Sequence, residues 1–533
     1  RSKLSLYMDF IDILFFNKLY FLTLCKHKNF KMKKVAILFI SLLLFACKKD
    51  NQTLEFTIVH INDVYEISAM EGGKIGGMAR VANLANKLRE ENPNTILTHG
   101  GDFLNPSLIG TLKDTTGNRI YGKQMIEVMN AMNFDLVALG NHEFDLKYPD
   151  LQKRFNESTF KWIATNTQFK NDSVLKPFYV EKNGVQENIS RTAIFEFNDT
   201  DGTILKVGFF SATIPSNPKN YVDYGDLYQD AINAYNVLEP KVDITLGLTH
   251  LAFNQDKLIA NSLPNVPLIL GGHDHTNMLV PVGNAFISKA DANAKTAYVH
   301  KITFDKKTKK TSIVSELVQI NDDVGEDAQV AQIVEKWKKL MDKELKEVIS
   351  NPYDIIYTAT EPLDGRDTPI RSRQTNLGEI IAASMSAAFD EPIDCAFVNG
   401  GSIRIDDQLS GAITGVDIFR VLPFGGGINK VEMKGELLER VLQYGRLKAG
   451  TGAYLQRHKA SYNTNTKTWT VGGKPIQKSK TYTVVLTDYL LLGLDIPFLK
   501  SGAKGLLKVT QNKPKDLASD VRKVVIIYMK SLK

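Results

Sequence analysis

The sequence predicts an α/β protein built as two domains joined by a helix. Three observations predict it: short apolar runs of strand character alternate with stretches of helical period, several early runs end in a polar word, and one long amphipathic stretch divides the chain. With 533 residues, 43% of them hydrophobic, the chain can bury at least two cores.

Taken in order, residues 56–61 read as a buried strand, 78–91 as a helix, 95–98 as a strand, 121–132 as a helix and 135–139 as a third strand. Further strands are expected at 162–165, 205–212, 244–248 and 268–270, with 215–224 and 254–267 as breaks. After Asp274 the pattern changes to short strands at 285–289, 297–304 and 312–318, which close the first domain with a β-rich edge near Asn321. Residues 326–350 then carry Val330, Ile333, Val334, Trp337, Leu340, Met341 and Leu345 at spacings of three and four among Lys and Glu, the pattern of an amphipathic joining helix. A helical joint suits rigid-body rotation of one domain over the other; a helix that simply packs fits the same pattern. The second domain opens at Asn351-Pro352, with helices expected at 376–389 and 434–444, a strand near Ala396 and another at 481–486. The divisions are thus 1–47 leader, 48–53 polar tether, 54–321 first domain, 322–350 linking helix and 351–533 second domain.

The leader explains the charge. The formal charge is +7, but residues 1–47 hold eight lysines and arginines against two acids, and the remainder is close to neutral. Nucleic acid is therefore not an expected partner. From Met32 the leader runs Met-Lys-Lys, an apolar stretch over 35–46, and Cys47, the form of a secretory signal too short to span a bilayer. Leu44-Phe45-Ala46-Cys47 resembles the bacterial lipobox, which implies acylation of Cys47, a membrane anchor through that lipid, and a place on the cell envelope at its periplasmic face or surface. Residues 1–31 precede a credible initiator at Met32 and read as an upstream extension of the gene. Past Cys47 only Cys395 remains, so no internal disulfide is expected there. Nothing in the sequence fixes an oligomeric state.

Five polar clusters follow strand-like runs: Asp63, Gly101-Asp102, Gly140-Asn141-His142-Glu143-Phe144-Asp145, Thr249-His250 and Gly272-His273-Asp274-His275. Carboxylate, amide oxygen and imidazole at strand ends can converge on one rim of a sheet and hold two divalent ions that share one carboxylate, the equipment of a phosphoesterase. Asp102 follows two glycines that admit close backbone approach, and it can bridge two cations. Asn141 can offer its carbonyl to a metal while His142 faces a substrate, and Asp145 can fix the imidazole tautomer. The spacing of His273 and His275 points both rings to one side of a strand. His60 and His99 lie before the acids and read as core or supporting hydrogen-bond donors.

With these words in this order, residues 54–530 resemble the calcineurin-like metallophosphoesterases, specifically the 5′-nucleotidase and UDP-sugar hydrolase family. The resemblance implies a four-layer αββα sandwich followed by a smaller α/β substrate-binding domain. It implies one divalent metal on Asp63, Asp102 and His275 and a second on Asp102, Asn141, His250 and His273, with Zn, Mn, Mg, Co or Ca as the ion. His142 and Asp145 would form the catalytic dyad, and a metal-bound hydroxide would attack phosphorus in line. The implied activity is hydrolysis of nucleotide phosphate esters, extended to 2′,3′-cyclic nucleotides or UDP-sugars, for extracytoplasmic salvage.

One departure stands in the metal site. The family reads Asp-x-His in its first motif, whereas this chain has Asp63-Val64-Tyr65-Glu66, so a phenol replaces a ligand. Tyr65 on a harder ion, Glu66 or water could fill the gap. In the second domain, Arg371-Ser372-Arg373, Asn399-Gly400-Gly401-Ser402-Ile403-Arg404 and Pro423-Phe424-Gly425-Gly426 are similar to the family's substrate segments. The resemblance implies that Arg371 and Arg404 grip phosphate, Asn399 bonds base or phosphate, Phe424 and Tyr489 sandwich the base, and Asp495 binds ribose hydroxyls. The stretch 489–495 is more apolar than the family's, and Lys459 stands near where a loop glycine is expected, which leaves base preference open. Two alternatives follow: a catalytically impaired nucleotide-binding lipoprotein, and a phosphatase for a non-nucleotide ester.

Overall fold

The computed structural model describes residues 52–216, 219–510 and 512–532. The leader, the lipobox and Cys47 lie outside the described residues.

The first domain is the four-layer sandwich. Alternation writes it: Phe56 and Ile58 face one side of the strand Thr53–Ile61, and Val59 and Ile61 face the other. Phe56, Ile58, Ile96, Leu136 and Ala138 meet Leu205, Val207, Phe209, Leu246, Leu248, Leu268 and Leu270 between two sheets. Behind the first sheet, Val59, Ile61, Leu97 and Val137 pack on the helices Met78–Glu91 and Lys123–Ala131. Behind the second, Phe210, Ala212 and Ile269 pack on Leu227–Leu238 and Phe253–Ser262.

The first sheet runs Thr311–Gln319, Thr296–Asp305, Thr53–Ile61, Thr95–His99, Leu136–Ala138, Lys161–Ile163, the last four being parallel. The second runs Met278–Val282, Ala285–Lys289, Leu268–Gly272, Ile244–His250, Ile204–Thr213, Thr192–Asn198, with its inner four parallel. Parallel strands deliver their carboxyl ends to one rim, where α/β sheets place their ligands.

The joining helix is Ala328–Val348, capped by the Asp327 side chain on the amides of Gln329 and Val330. Its buried stripe, Val330, Trp337, Met341 and Leu345, packs into the core of the first domain, and Trp337 Nε1 donates to Glu127 at 2.9 Å. The second domain carries a mixed sheet ordered Leu455–His458, Cys395–Asn399, Thr481–Thr487, Ile428–Lys434, Leu506–Thr510. Helices Asn376–Ala387 and Val521–Ser531 supply buried residues to one core, and Gly435–Leu447 to another around Cys395, which is buried.

Two sequence expectations are corrected. The break at 254–267 contains the helix Phe253–Ser262, whose polar first turn hides it: Gln255 Oε1 accepts from the Ala252 amide, and Asp256 is buried rather than exposed. His273 and His275 are not on a strand. The strand ends at Gly272, and His273 turns out of it with φ 75°. The excursion of short strands Thr167–Asn171, Val174–Lys176, Tyr179–Lys182 and Val185–Asn188 went unread, since its side chains are mostly exposed and carry little apolar alternation.

Candidate active site

Each polar word lies at a strand end or just beyond it, on the shared rim of the two sheets. Asp63 follows Thr53–Ile61, Asp102 follows Thr95–His99, and Asn141 to Asp145 follow Leu136–Ala138. From the second sheet, His250 ends Ile244–His250, and His273 and His275 follow Leu268–Gly272. Asp63, Asp102 and His273 adopt φ of 53°, 62° and 75°, a left-handed backbone that costs about 1 kcal/mol or more for a residue with a Cβ. The surroundings hold these turns in place. Glu143, wholly buried, accepts the amides of Asp102, Phe103, Leu104 and Gly140 at 2.7–3.1 Å. No side chain fits at residue 140, where a Cβ would lie 2.1 Å from Asp102 Oδ1.

Asp63, Asp102 and His250 offer ligand atoms within 4.8 Å of one another. His250 Nδ1 donates to Gly100 O at 2.8 Å, which leaves Nε2 aimed at the carboxylates, 3.0 Å from Asp102 Oδ2 and 4.0 Å from Asp63 Oδ1. His275 Nε2 lies 3.4 Å from Asp63 Oδ1, and the His273 ring lies 5.4 Å from that of His250. Three buried atoms here make no well-aligned hydrogen bond, Asp63 Oδ1, Asn141 Oδ1 and His250 Nε2; the first and last have ion-pair neighbours instead, His275 Nε2 at 3.4 Å and Asp102 Oδ2 at 3.0 Å. Two of these are pure acceptors. A cation satisfies buried acceptors of this kind, and Asp63, Asp102 and His250 already lie close enough to share one, so the residues present fit a divalent metal.

Electrostatics say the same. Burial disfavours the charged form of His250, yet Asp102 and Asp63 outweigh it and raise its pKa to about 9. Burial likewise opposes a charged His275, and Asp406 and Asp63 push it up to about 10. His273, buried beside His250, is lowered to about 4. Burial works against the charge on Asp63 too, and His250 and His275 hold its carboxyl well below the usual range. The buried carboxylates of the rim thus stabilise positive charge beside them.

His142 Nδ1 lies 2.8 Å from Asp145 Oδ2, and the His142 amide donates to Asp102 Oδ1 at 2.7 Å. Residues of the second domain complete this corner. Arg404 Nη2 donates to Asp145 Oδ2 at 2.7 Å, and Asp406 Oδ2 lies 3.4 Å from His142 Nε2 and 3.8 Å from His275 Nε2. Tyr65 Oη lies 3.2 Å from His275 Nε2. Glu66 turns instead to Arg420 of the second domain at 3.3 Å, so it is engaged there rather than with the cluster.

The remaining substrate residues divide. Arg371 is buried and paired with Asp367 at 2.7 Å. Asn399 Nδ2 donates to Asp495 Oδ2 at 2.8 Å, and Tyr489 Oη donates to Asp495 Oδ1 at 3.2 Å, which ties those three together. Phe424 is 60% exposed and Tyr489 37%, so both rings present surface for stacking. His60 bonds Thr98 Oγ1 and Gly271 O, and His99 Nδ1 accepts the Gly101 amide.

Sequence reasoning missed Asn62, whose amide donates to Asp63 Oδ2 at 2.7 Å, and the part played by Glu143 within its own word. It also missed Asp406. The acid pair two residues past Arg404 was the available signal, but no local pattern says that the pair crosses to the other domain.

Residues 56–277 match the calcineurin-like phosphoesterase family model, and residues 355–500 match that of the 5′-nucleotidase C-terminal domain. Human 5′-nucleotidase is 28% identical over 455 residues, covering 75% of this chain and 74% of its own. The Bos taurus 5′-nucleotidase is 27% identical over 510 residues, 83% of each. Among solved structures, a 5′-nucleotidase precursor from Thermus thermophilus shares the fold with a TM-score of 0.62 at 22% identity, covering 90% of this chain and 97% of that one. A sulfate thiohydrolase from the same organism shares it at 0.56 and 14%, covering 89% and 94%. The chain therefore belongs to the calcineurin-like phosphoesterases through its first domain and to the 5′-nucleotidases through its second, and it is a hydrolase.

Proposed function

We propose that this protein hydrolyses phosphate esters of nucleotides with two divalent cations held by Asp63, Asp102, Asn141, His250, His273 and His275, and that it does so on the cell envelope, anchored by lipid at Cys47. The observation that carries the reading is the buried cluster of Asp63, Asp102 and His250, whose ligand atoms lie within 4.8 Å of one another, with Asp63 Oδ1, Asn141 Oδ1 and His250 Nε2 left without a well-aligned hydrogen bond. Divalent cations bound there would polarise the phosphoryl group and acidify a water.

The chain's own groups do the rest. His142, turned by Asp145 through Nδ1, presents Nε2 to the phosphoryl or leaving oxygen and donates a proton or hydrogen bond there. Burial disfavours a charged His142, but Asp102 and Asp145 outweigh it and raise its pKa well above the ordinary value, so the ring stays a donor. Arg404, already at the site, exchanges its bond with Asp145 for phosphate oxygens, and Arg371, held by Asp367, is the second guanidinium for them. Phe424 and Tyr489 take the base between them, with Asp495 on the ribose hydroxyls and Asn399, bonded to it, on base or phosphate.

The test is turnover of AMP with Mn²⁺, alongside a screen of other nucleotides, 2′,3′-cyclic nucleotides, UDP-sugars and simple phosphate esters. Activity that disappears in His142→Ala supports the proposal. Tyr65 at the first metal favours a second reading, an impaired nucleotide-binding lipoprotein, and nucleotide binding without turnover in any metal would select it. Phosphatase activity whose KM ignores Phe424→Ala would point to a non-nucleotide ester.

A further inference from the structure

We propose that Lys289 is a positioning residue for the metal-binding histidines: one buried ammonium fastens together the strand end that carries His250 and the turn that carries His273 and His275. The inference rests on the metal-binding reading above.

Lys289 is the last residue of the strand Ala285–Lys289 and is wholly buried. Its Nζ donates to Leu251 O at 2.5 Å and to Asp274 Oδ2 at 2.8 Å, and lies 2.7 Å from Asp256 Oδ2. An ammonium has three protons; it donates to Leu251 O and Asp274 Oδ2, and Asp256 Oδ2 meets its charge at ion-pair distance. Each acceptor belongs to a segment next to a histidine. Leu251 follows His250, and Asp274 separates His273 from His275. Asp256 reaches the other side of His250, accepting from Thr249 Oγ1 at 2.7 Å. Asp274 Oδ2 also accepts the Phe253 amide at 2.7 Å, which closes the ring of contacts.

Two further observations indicate that the lysine is fitted to this place. Its side chain crosses Gly271 on the neighbouring strand, where a Cβ would lie 2.7 Å from Lys289 Cε. Beside that crossing, His273 keeps a left-handed φ of 75° that its own preference opposes, held by its amide on Asp63 Oδ2 at 2.9 Å and by the anchored Asp274 that follows it. Burial lowers the Lys289 pKa, and Asp256 and Asp274 more than restore it, so the group stays charged. Without the ammonium, the carboxylates repel each other and the strained turn loses an anchor.

The lysine touches no residue proposed for the substrate, so its loss should appear in metal affinity before it appears in substrate affinity. Full-length wild type, Lys289→Met and Asp274→Asn would be titrated with Mn²⁺ against a chromophoric chelator, with circular dichroism to establish folding. Folded Lys289→Met is expected to bind Mn²⁺ about ten-fold more weakly or worse, and Asp274→Asn to move the same way by less, with KM at saturating metal within about two-fold of wild type. Wild-type affinity in both folded variants overturns the inference and leaves the metal reading intact. A wild type that binds no Mn²⁺ overturns the metal reading and this inference with it. If Lys289→Met does not fold, Asp274→Asn decides alone, since the Asp274 side chain is 33% exposed and tolerates the change.

Discussion

The Tyr65 hydroxyl lies 3.2 Å from Nε2 of His275, within hydrogen-bond reach of the imidazole nitrogen that also lies 3.4 Å from Asp63 Oδ1. The phenol is buried, and burial together with the carboxylates of Asp102, Asp63 and Asp406 raises its pKa well above 10, so it remains neutral. A neutral phenol at this distance occupies the nitrogen that a cation would need and is itself a poor ligand.

Tyr65→His should therefore tighten metal binding. The Mn²⁺ concentration for half-maximal phosphatase rate is expected to fall about ten-fold, the scale of one ligand or its supporting partner. An unchanged metal titration would show that water already completes the coordination.

Asp406 places a carboxylate 3.4 Å from His142 Nε2, where a phosphoryl oxygen would be received. Two anions cannot share that place at low cost. Asp406→Asn is expected to lower KM for AMP about ten-fold, equivalent to roughly 1.4 kcal/mol, with kcat changed far less. A higher KM in steady-state kinetics would mean that the carboxylate assists substrate binding.

Glu143 should matter for stability more than its silence toward substrate suggests. Burial and the neighbouring Asp102 raise its pKa to about 7, and its oxygens receive four amides. Glu143→Gln turns an NH₂ toward two or more of those donors, at a cost of about 2–4 kcal/mol in urea unfolding. A loss below half a kcal/mol would show that the loop re-forms without the carboxylate.

Acid sensitivity should trace in part to His300, wholly buried between Ser288 and Ser315. Burial, with His60 nearby, lowers its pKa from 6.5 to about 3. The unfolded chain binds a proton below pH 6.5 that the folded chain refuses until about pH 3, so this contribution is whole above pH 6.5 and is lost as pH falls. Between pH 7.5 and 5, wild type should lose about 2 kcal/mol more than His300→Gln in urea titrations. Equal losses would assign the acid limb to other groups.

Much of this could be read in the chain because strand alternation and strand-end chemistry are local. Met78–Glu91 follows directly from helical spacing, and the five polar words lie at or just beyond the strand ends from which they converge. What escaped was long-range. Asp256 reads as a solvated acid until the buried Lys289 is seen beside it, and Asp406 reads as loop until the second domain is laid against the first. Glu143 stood inside a recognised word, yet its partners are main-chain amides some forty residues earlier, which no side-chain pattern announces.

The seat that Glu143 makes for backbone amides has a consequence for engineering. Since the carboxylate grasps peptide groups, the segment around Asp102 and the turn from Gly140 to Asp145 behave as one cassette. Transplanting either piece alone into another scaffold would strand a charge or leave amide hydrogens bare, whereas moving both would carry the hinge of the chemistry intact. Proline at residue 103 or 104 is the change such a graft must avoid, since it deletes the hydrogen the cassette is built on.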